Sequence, residues 1–148
     1  MKLKLLMAGV VAALSTAGAA STATEPVVNG GFKGDTRTGF TTVSAVTPAQ
    51  IAGWTVLTNY VDWSNGAWQS SDGDGYSLDL IGGFGRGAIA QTIATQAGRT
   101  YNLTFDISGN PDMYRDAGRL ITVSAGGAEI GEAQYVLSSA NTRNNMVW

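Results

Sequence analysis

Short stretches in which apolar and polar residues alternate recur along the chain, separated by turn-forming segments. The clearest one runs from Tyr101 to Ser108, where every second residue is apolar and each residue between is polar. A period of two places the apolar side chains on one face of a strand. Gly109-Asn110-Pro111-Asp112 then supplies the residue types of a turn. The pattern predicts a β-strand over 101–108.

The same alternation appears in the rest of the chain. Further strands are predicted at 54–58, 61–63, 76–80, 88–94 and 121–124. The first two are expected to pair across a turn at Asn59, and Gly126-Gly127 ends the last one. After residue 23 we find no internal repeat, no long linker and no helical periodicity longer than a turn or two. The sequence therefore predicts one all-β domain over residues 24–148, an antiparallel β-sandwich.

The first 23 residues have a different composition. Lys2 and Lys4 precede an uncharged apolar run over residues 5–14, and small residues with an A-x-A-like spacing follow, as in Ser21-Thr22-Ala23. A helix that spans a membrane needs about 20 apolar residues, and this run gives way to polar residues too early. The pattern is typical of a secretory signal peptide. We expect residues 1–23 to be removed and the protein to be secreted, extracellular or on the cell surface.

The charge of the chain is sparse and slightly acidic. It has nine basic and 11 acidic residues. Lys2 and Lys4 leave with the signal peptide, so the mature chain carries a net charge of −4 (seven basic against 11 acidic residues). Such a chain, without any cluster of Lys or Arg, has no electrostatic reason to bind nucleic acid or anionic lipid. We therefore expect no nucleic-acid partner and no membrane span in the mature chain.

The chain contains neither cysteine nor histidine. Without cysteine, no disulfide can stabilise this small secreted domain, so its stability must come from burial and backbone pairing. Without histidine, the commonest general base and the commonest zinc ligand are missing, and no serine has the partner of an ordinary catalytic triad. The sequence therefore predicts a protein that is not an enzyme.

Carboxylates keep one catalytic alternative open. A glycoside hydrolase needs two carboxyl groups about 5 to 9.5 Å apart across a cleft, and sequence spacing does not show that separation. The candidate acids are Asp62, Asp72, Asp74, Asp79, Asp106, Glu129 and Glu132.

Two glycine-rich segments resemble ligand-binding motifs. Residues 83–88 fit G-x-G-x-x-A, but a dinucleotide site needs a helix after the glycines. A β-like segment follows them here, so a glycine-rich loop is predicted. Asp72-Gly73-Asp74-Gly75 resembles the start of a calcium loop, yet Tyr76 stands where the third ligand is needed and no Glu closes the loop. We expect an ordinary polar turn and no cofactor, with a structural calcium ion as the alternative.

Aromatic side chains in polar segments are the best candidates for ligand contacts. An exposed ring packs against the apolar face of a sugar, while amides and carboxylates bind its hydroxyls. Trp68 is the leading candidate because its segment is polar and loop-like. The predicted ligand-binding residues are Trp63, Trp68, Gln69, Asp72 and Tyr114. Alternatively, the tryptophans fill the core; this is predicted for Trp54, favoured for Trp63 and left open for Trp68.

An ordered set of motifs resembles the choice-of-anchor C family over about residues 27–148. The motifs are NGGF at 29–32, GWTV at 53–56, VDW at 61–63, WQ at 68–69, DG at 72–73, SLDL at 77–80, IAQT at 89–92, TFDISGNP at 104–111 and VSAGG at 123–127. The resemblance implies a galactose-binding-like jelly-roll domain, related to plant cell-wall proteins and associated with carbohydrate or the cell wall. It also implies a surface protein that is often tethered by a C-terminal sorting signal. No established catalytic residues come with it.

The chain departs from that family in two places. In the family, Glu commonly follows the NGxF motif and, in related carbohydrate-binding domains, helps to hold a structural calcium ion; here Lys33 stands in its place. Related chains also continue past the region of Met146 and Trp148 into closing strands and an anchor. Since residues 144–148 look like the start of a strand, we expect further strands after them.

These observations favour a non-catalytic β-sandwich module of the cell surface or extracellular matrix that binds a polysaccharide or cell-wall glycan. A structural or adhesive surface protein without a sugar site is the first alternative, and burial of Trp54, Trp63 and Trp68 together would favour it. The two-carboxylate glycoside hydrolase is the second, and a cleft between two acids would favour that.

Overall fold

The described part of the chain is built from β-strands. The computed structural model describes residues 3–6, 14–16, 27–34, 38–46, 51–82, 85–112 and 118–148. The strands are β1 (Leu3–Leu6), β2 (Leu14–Thr16), β3 (Gly39–Ser44), β4 (Thr55–Thr58), β5 (Tyr60–Asn65), β6 (Tyr76–Asp79), β7 (Ala88–Ala90), β8 (Ile93–Thr95), β9 (Phe105–Ser108), β10 (Arg119–Ala125) and β11 (Ala128–Tyr135). Within these ranges no α-helix occurs. Nor does this part of the protein contain a helix with the length and apolar character that a membrane crossing requires.

The largest sheet has five strands in the order β3-β5-β6-β1-β9. Its first three strands are antiparallel, with Thr42 opposite Asp62 and Asp62 opposite Asp79. Strand β1 lies between β6 and β9 and runs parallel to both, with Leu5 opposite Leu78 and Ile107. Because side chains alternate across a strand, Thr42, Asp62 and Asp79 share one face of this sheet.

The remaining strands pair as β4–β7, β2–β8 and β10–β11, and the opposite face of the five-stranded sheet packs on residues of β7 and β10. Residues from β3, β5 and β6 meet residues from β7 and β10 in one apolar cluster. The cluster consists of Phe32, Val43, Ile51, Trp54, Val61, Trp63, Leu78, Leu80, Ile89, Ile121 and Val123. The predicted all-β fold class is confirmed, and the two-layer packing is that of a β-sandwich.

The hairpin formed by β10 and β11 follows directly from local sequence. Ala125 pairs with Ala128, so Gly126 and Gly127 form a two-residue loop, and their φ angles are 59° and 83°. Two successive positive φ angles define the turn type that matches the twist of a hairpin, and glycine adopts them without steric cost. The prediction that Gly126-Gly127 ends the strand is confirmed.

Three details of the predicted strands are wrong. β4 and β5 do not pair with each other, since β4 pairs with β7 and β5 lies between β3 and β6. Asn59, with a φ of 47°, instead turns the chain from one sheet into the other. The strand predicted over 101–108 begins only at Phe105, and the one predicted over 88–94 is interrupted at Gln91, whose side chain binds other segments.

The two ends of the chain bear on earlier expectations. Of the predicted signal peptide, the structure describes only 3–6 and 14–16, the residues of β1 and β2. Its removal stays a prediction. At the other end, Thr142 and Asn145 form an isolated bridge and residues 146–148 are not in a strand. Met146 is nevertheless buried, because its side chain packs on Trp68.

Candidate binding surface

The three tryptophans at the centre of the sequence predictions all lie in the interior. Trp54, Trp63 and Trp68 are 4%, 5% and 3% exposed. Each indole N–H donates to a protein acceptor, as expected of a buried tryptophan. The acceptors are, in the same order, the carbonyl oxygens of Asn29 and Phe32 and a carboxylate oxygen of Asp112, at 2.9, 2.6 and 3.1 Å. The core assignment of Trp54 is confirmed, and neither Trp63 nor Trp68 presents a ring to solvent.

Trp68 is buried in a second, smaller apolar cluster. Its partners there are Met146, Ala67 and Trp148. The cover therefore comes from the far end of the chain, and nothing in the polar sequence around Trp68 indicates it. A ligand can reach this indole only if that cover moves.

The other predicted contacts surround Trp68 but serve the fold. The side-chain oxygen of Gln69 accepts from the backbone N–H of Met146 at 2.9 Å. The backbone N–H of Gln69 donates to the carbonyl of Arg143 at 2.8 Å. Gln69 thus holds the C-terminal segment over the indole. Asp72 is exposed at a turn. Tyr114 lies outside the described residues.

The segment Asp72-Gly73-Asp74-Gly75 forms a polar turn that satisfies its own acceptors. The Oδ1 atom of Asp72 accepts from the backbone N–H of Asp74 and from the Ser70 hydroxyl, and Asp74 Oδ1 accepts from the N–H of Tyr76. These residues form a turn, as predicted; whether the turn also holds a calcium ion stays a prediction. Within the described ranges, no group of three or more Asp or Glu side chains is placed to hold a metal ion.

Lys33 contacts this turn from the N-terminal segment. Its ammonium lies 3.3 Å from Asp74 Oδ2. The backbone of Lys33 is held in turn by Asn29, whose side chain accepts from its N–H at 2.8 Å and donates to its carbonyl at 3.0 Å. The residue that departs from the choice-of-anchor C pattern therefore places a positive charge beside the turn that resembles a calcium loop.

Two exposed aromatic rings lie on the face of the five-stranded sheet that carries Thr42 and Asp62; a third, Tyr101, is 39% exposed outside that sheet. Phe40 on β3 is 54% exposed and Tyr60 on β5 is 39% exposed. Between them, the Thr42 hydroxyl donates a hydrogen bond to Asp62 Oδ1. Two rings that flank a hydroxyl and a carboxylate have the composition of a sugar-binding surface.

The same face brings together two of the acids that bear on the hydrolase alternative. Asp62 and Asp79 stand directly opposite each other on β5 and β6. Burial, with a smaller contribution from Asp62, raises the pKa of Asp79 to about 6, although hydrogen bonds to Ile81 and Asn110 and the charge of Arg119 oppose the shift. The side chain is only 2% exposed. Both oxygens of Asp79 accept protein hydrogen bonds, from Ile81 N at 2.9 Å and from Asn110 Nδ2 at 2.6 Å. In this arrangement Asp79 binds Asn110 rather than a substrate.

A comparison with protein families identifies a family that matches the chain. The model of the family described as "Protein of unknown function (DUF642)" matches residues 25–148, which is most of the chain. The chain belongs to the DUF642 family. The family is associated with the plant cell wall, and its function is unknown. The motif resemblance and the family match thus agree on a relation to cell-wall proteins, whereas membership of the choice-of-anchor C family is not shown.

No curated protein and no solved structure matches this DUF642 chain significantly.

Sequence reasoning missed the aromatic pair of this DUF642 protein because it did not predict β3. In G-F-T-T-V-S at 39–44, Phe40 and Val43 are an odd number of residues apart and fall on opposite faces, so the segment does not alternate. This break in the alternation is the sequence signal that could have pointed to β3 and its exposed ring. A strand with one apolar residue on each face buries one of them, here Val43 at 1% exposure, and leaves the other for another role.

Proposed function

We propose that this DUF642 protein is a secreted, non-catalytic module of the cell wall or extracellular matrix that binds polysaccharide. The observation that carries the proposal is the row of Phe40, Thr42, Asp62 and Tyr60 on one face of β3 and β5, in which Asp62 is half-buried and the other three are exposed. Rings pack against the C–H face of a pyranose, and the polar pair binds its hydroxyls.

Two further features support the proposal. The family is associated with the plant cell wall, where polysaccharides are abundant. The signal-peptide pattern over residues 1–23 would export the protein to such a site. We also propose that the sandwich has the galactose-binding-like jelly-roll topology that the motif resemblance implies.

Affinity electrophoresis tests this function directly. The full chain is run through native gels that contain one soluble polysaccharide each, neutral and acidic, with an inert protein of similar charge as the reference. Retardation in at least one gel, increasing with polysaccharide concentration, is the expected result. Unaltered mobility in every gel would contradict the proposal.

A structural or adhesive module without a sugar site is the second candidate. The observation that favours it is the burial of Trp54, Trp63 and Trp68, which removes the largest rings from the surface. Contact with other proteins would then use a strand edge, and β11 offers a long one whose Ile130 is 60% exposed. Sedimentation at rising concentration distinguishes the candidates: association that Ile130→Lys abolishes, together with no glycan binding, would favour this one.

A further inference from the structure

The spacing of the exposed row on β3 and β5 is set by strand register. Phe40 stands opposite Ser64, and Tyr60 is four residues from Ser64 along β5. With about 3.4 Å per residue, the two ring-bearing positions are separated by roughly 13 Å along the strands. The Thr42–Asp62 pair lies midway between them. The row is long enough for several contacts with one extended ligand.

Phe40 is held in a fixed orientation although it is exposed. Its ring stacks on Trp68, with centroids 5.6 Å apart and planes 27° apart. The indole beneath is fixed by burial and by its hydrogen bond to Asp112. A ring that is already ordered loses little conformational entropy when a ligand packs on it. This distinguishes Phe40 from a surface apolar residue without a role, which needs no such support.

The centre of the row selects the charge of its ligand. The Thr42 hydroxyl donates to Asp62, so the pair offers acceptors to the hydroxyl groups of a ligand. A carboxylate on the ligand would instead meet the negative charge of Asp62, and like charges in contact are unfavourable. Asp79, on the same face one strand further in, is also acidic, but it is buried and the charge of Arg119 offsets part of its own. Arg143 does not offset them, because its guanidinium is engaged with Asp112 at 3.0 Å.

We propose that Phe40, Thr42, Asp62 and Tyr60 form a binding site for a neutral polysaccharide, which lies along β3 and β5 with sugar rings on the two aromatic side chains. This inference rests on the proposed function and adds its location and its selectivity. Neutral glycans are bound, whereas uronate-rich glycans are rejected by Asp62.

The test compares two glycans and matched variants of the full chain. Affinity electrophoresis is run in hydroxyethyl cellulose, a neutral glucan, and in polygalacturonate, an anionic glycan. Binding to the neutral glucan is expected to weaken about tenfold in Phe40→Ala and in Tyr60→Ala, since each removes one ring contact. Leu57→Ala is the control, because it removes a comparably exposed apolar side chain (44%) on β4, in a different sheet; it is expected to bind as the unaltered chain does.

Melting temperatures are measured in parallel, because Phe40→Ala also removes a partner of Trp68. Tyr60→Ala keeps the test decisive if Phe40→Ala fails to fold. Retention of full glucan binding by folded Phe40→Ala and Tyr60→Ala would overturn the site but leave the proposed function standing. Absence of binding by the unaltered chain to both glycans would overturn the site and count against the function itself, which the wider glycan panel then decides.

Asp62→Asn tests the selectivity separately. The asparagine keeps an oxygen to accept from Thr42 and loses only the charge. Polygalacturonate is expected to retard Asp62→Asn and not the unaltered chain. If the unaltered chain binds polygalacturonate as well as the neutral glucan, the role given to Asp62 is wrong.

Discussion

Phe40 lies on Trp68 with their rings 27° from parallel and 5.6 Å apart, so a buried indole supports an exposed phenyl ring. The tryptophan that the sequence predicts as the ligand contact thus has a different place. It lies one layer below the surface, where it fixes the ring that solvent reaches. Replacement of either residue is expected to affect both stability and binding, but in different proportions.

Trp68→Ala is expected to lower the free energy of unfolding by about 3 to 5 kcal/mol, the usual cost of removing a large buried ring. The loss arises from the cavity left beside Met146 and from the lost partner of Asp112. Urea unfolding measures it, with Leu57→Ala as a surface control that should change stability by less than about 0.5 kcal/mol. A loss under about 1 kcal/mol for Trp68→Ala would show that the C-terminal segment does not cover the indole.

Gln91 links three segments through one buried side chain. Its amide nitrogen donates to the carbonyls of Val28 and Gly53 at 2.8 and 2.6 Å, and its oxygen accepts from the N–H of Val28 at 2.6 Å. Gln91→Glu keeps the acceptor but removes the donor to two partly buried carbonyls, at a cost of about 1 to 3 kcal/mol.

The control for Gln91→Glu is the same substitution at the exposed Gln134 on β11. Urea unfolding of both variants at neutral pH is the measurement. Equal stability of the two variants would contradict the role of Gln91 as a link between segments.

Asp79 makes stability depend on pH in an unusual direction. Burial raises its pKa from 3.8 to about 6, so the folded state holds this proton more tightly than the unfolded chain does. Its contribution to stability is fully present below about pH 3.8 and is lost as pH rises through 6. The difference is about 3 kcal/mol.

Urea unfolding between pH 4 and 7 isolates this contribution when the chain is compared with Asp79→Asn. The variant has no carboxyl at this position, so the fall in stability between pH 4 and 7, which covers most of the titration, should be about 2 kcal/mol smaller than in the unaltered chain. Its overall stability is expected to be lower, because one of the two acceptor oxygens becomes an amide donor that faces the N–H of Ile81 or of Asn110. Parallel profiles for the two chains would show that Asp79 is not desolvated.

Two strands illustrate how much of this fold can be predicted from the sequence. The strand at 119–125 is predicted over 121–124, because Ile121 and Val123 alternate with polar residues and two glycines end the run, so period and turn chemistry agree. The strand at 39–44 is not predicted, because its apolar residues fall on both faces. The sequence predicts where a strand lies more readily than it predicts which strand pairs with it. The turn at Asn59 is real, but whether it joins two strands of one sheet or passes between sheets depends on long-range contacts.

The candidate surface depends even more on such contacts. Nothing near Trp68 in sequence reveals that Met146 covers it, and nothing near Phe40 reveals that an indole supports its ring. Likewise, Asp62 and Asp79 are ordinary acids in sequence, and only the register of β5 against β6 makes one a surface acceptor and the other a buried group. Burial is a property of the assembled sandwich, so residue type and local spacing could not decide these roles.

Removal of the predicted signal peptide is expected to unpair strands on both sides of β1. In the described sheet β6 and β9 both pair with residues 3–6 and not with each other, so their facing backbone edges lose a hydrogen-bonding partner. A protease site placed after residue 23 allows the folded full chain to be cut and compared with itself by amide hydrogen exchange. Faster exchange in 76–79 and 105–108, but not in β3, is the expected result. Unchanged protection after the released fragment is separated would mean that residues 3–6 do not hold these strands together.

The most direct measurement of the central claim, that polysaccharide binds on the β3–β5 face, is an NMR titration. Cellohexaose, a neutral oligosaccharide, is added to the 15N-labelled full chain, and amide shifts are followed residue by residue. The account predicts that the largest changes fall within 40–44 and 60–64, with the turn at 70–75 little affected. Changes confined to that turn and the segment around Trp68, with β3 and β5 unmoved, would contradict it.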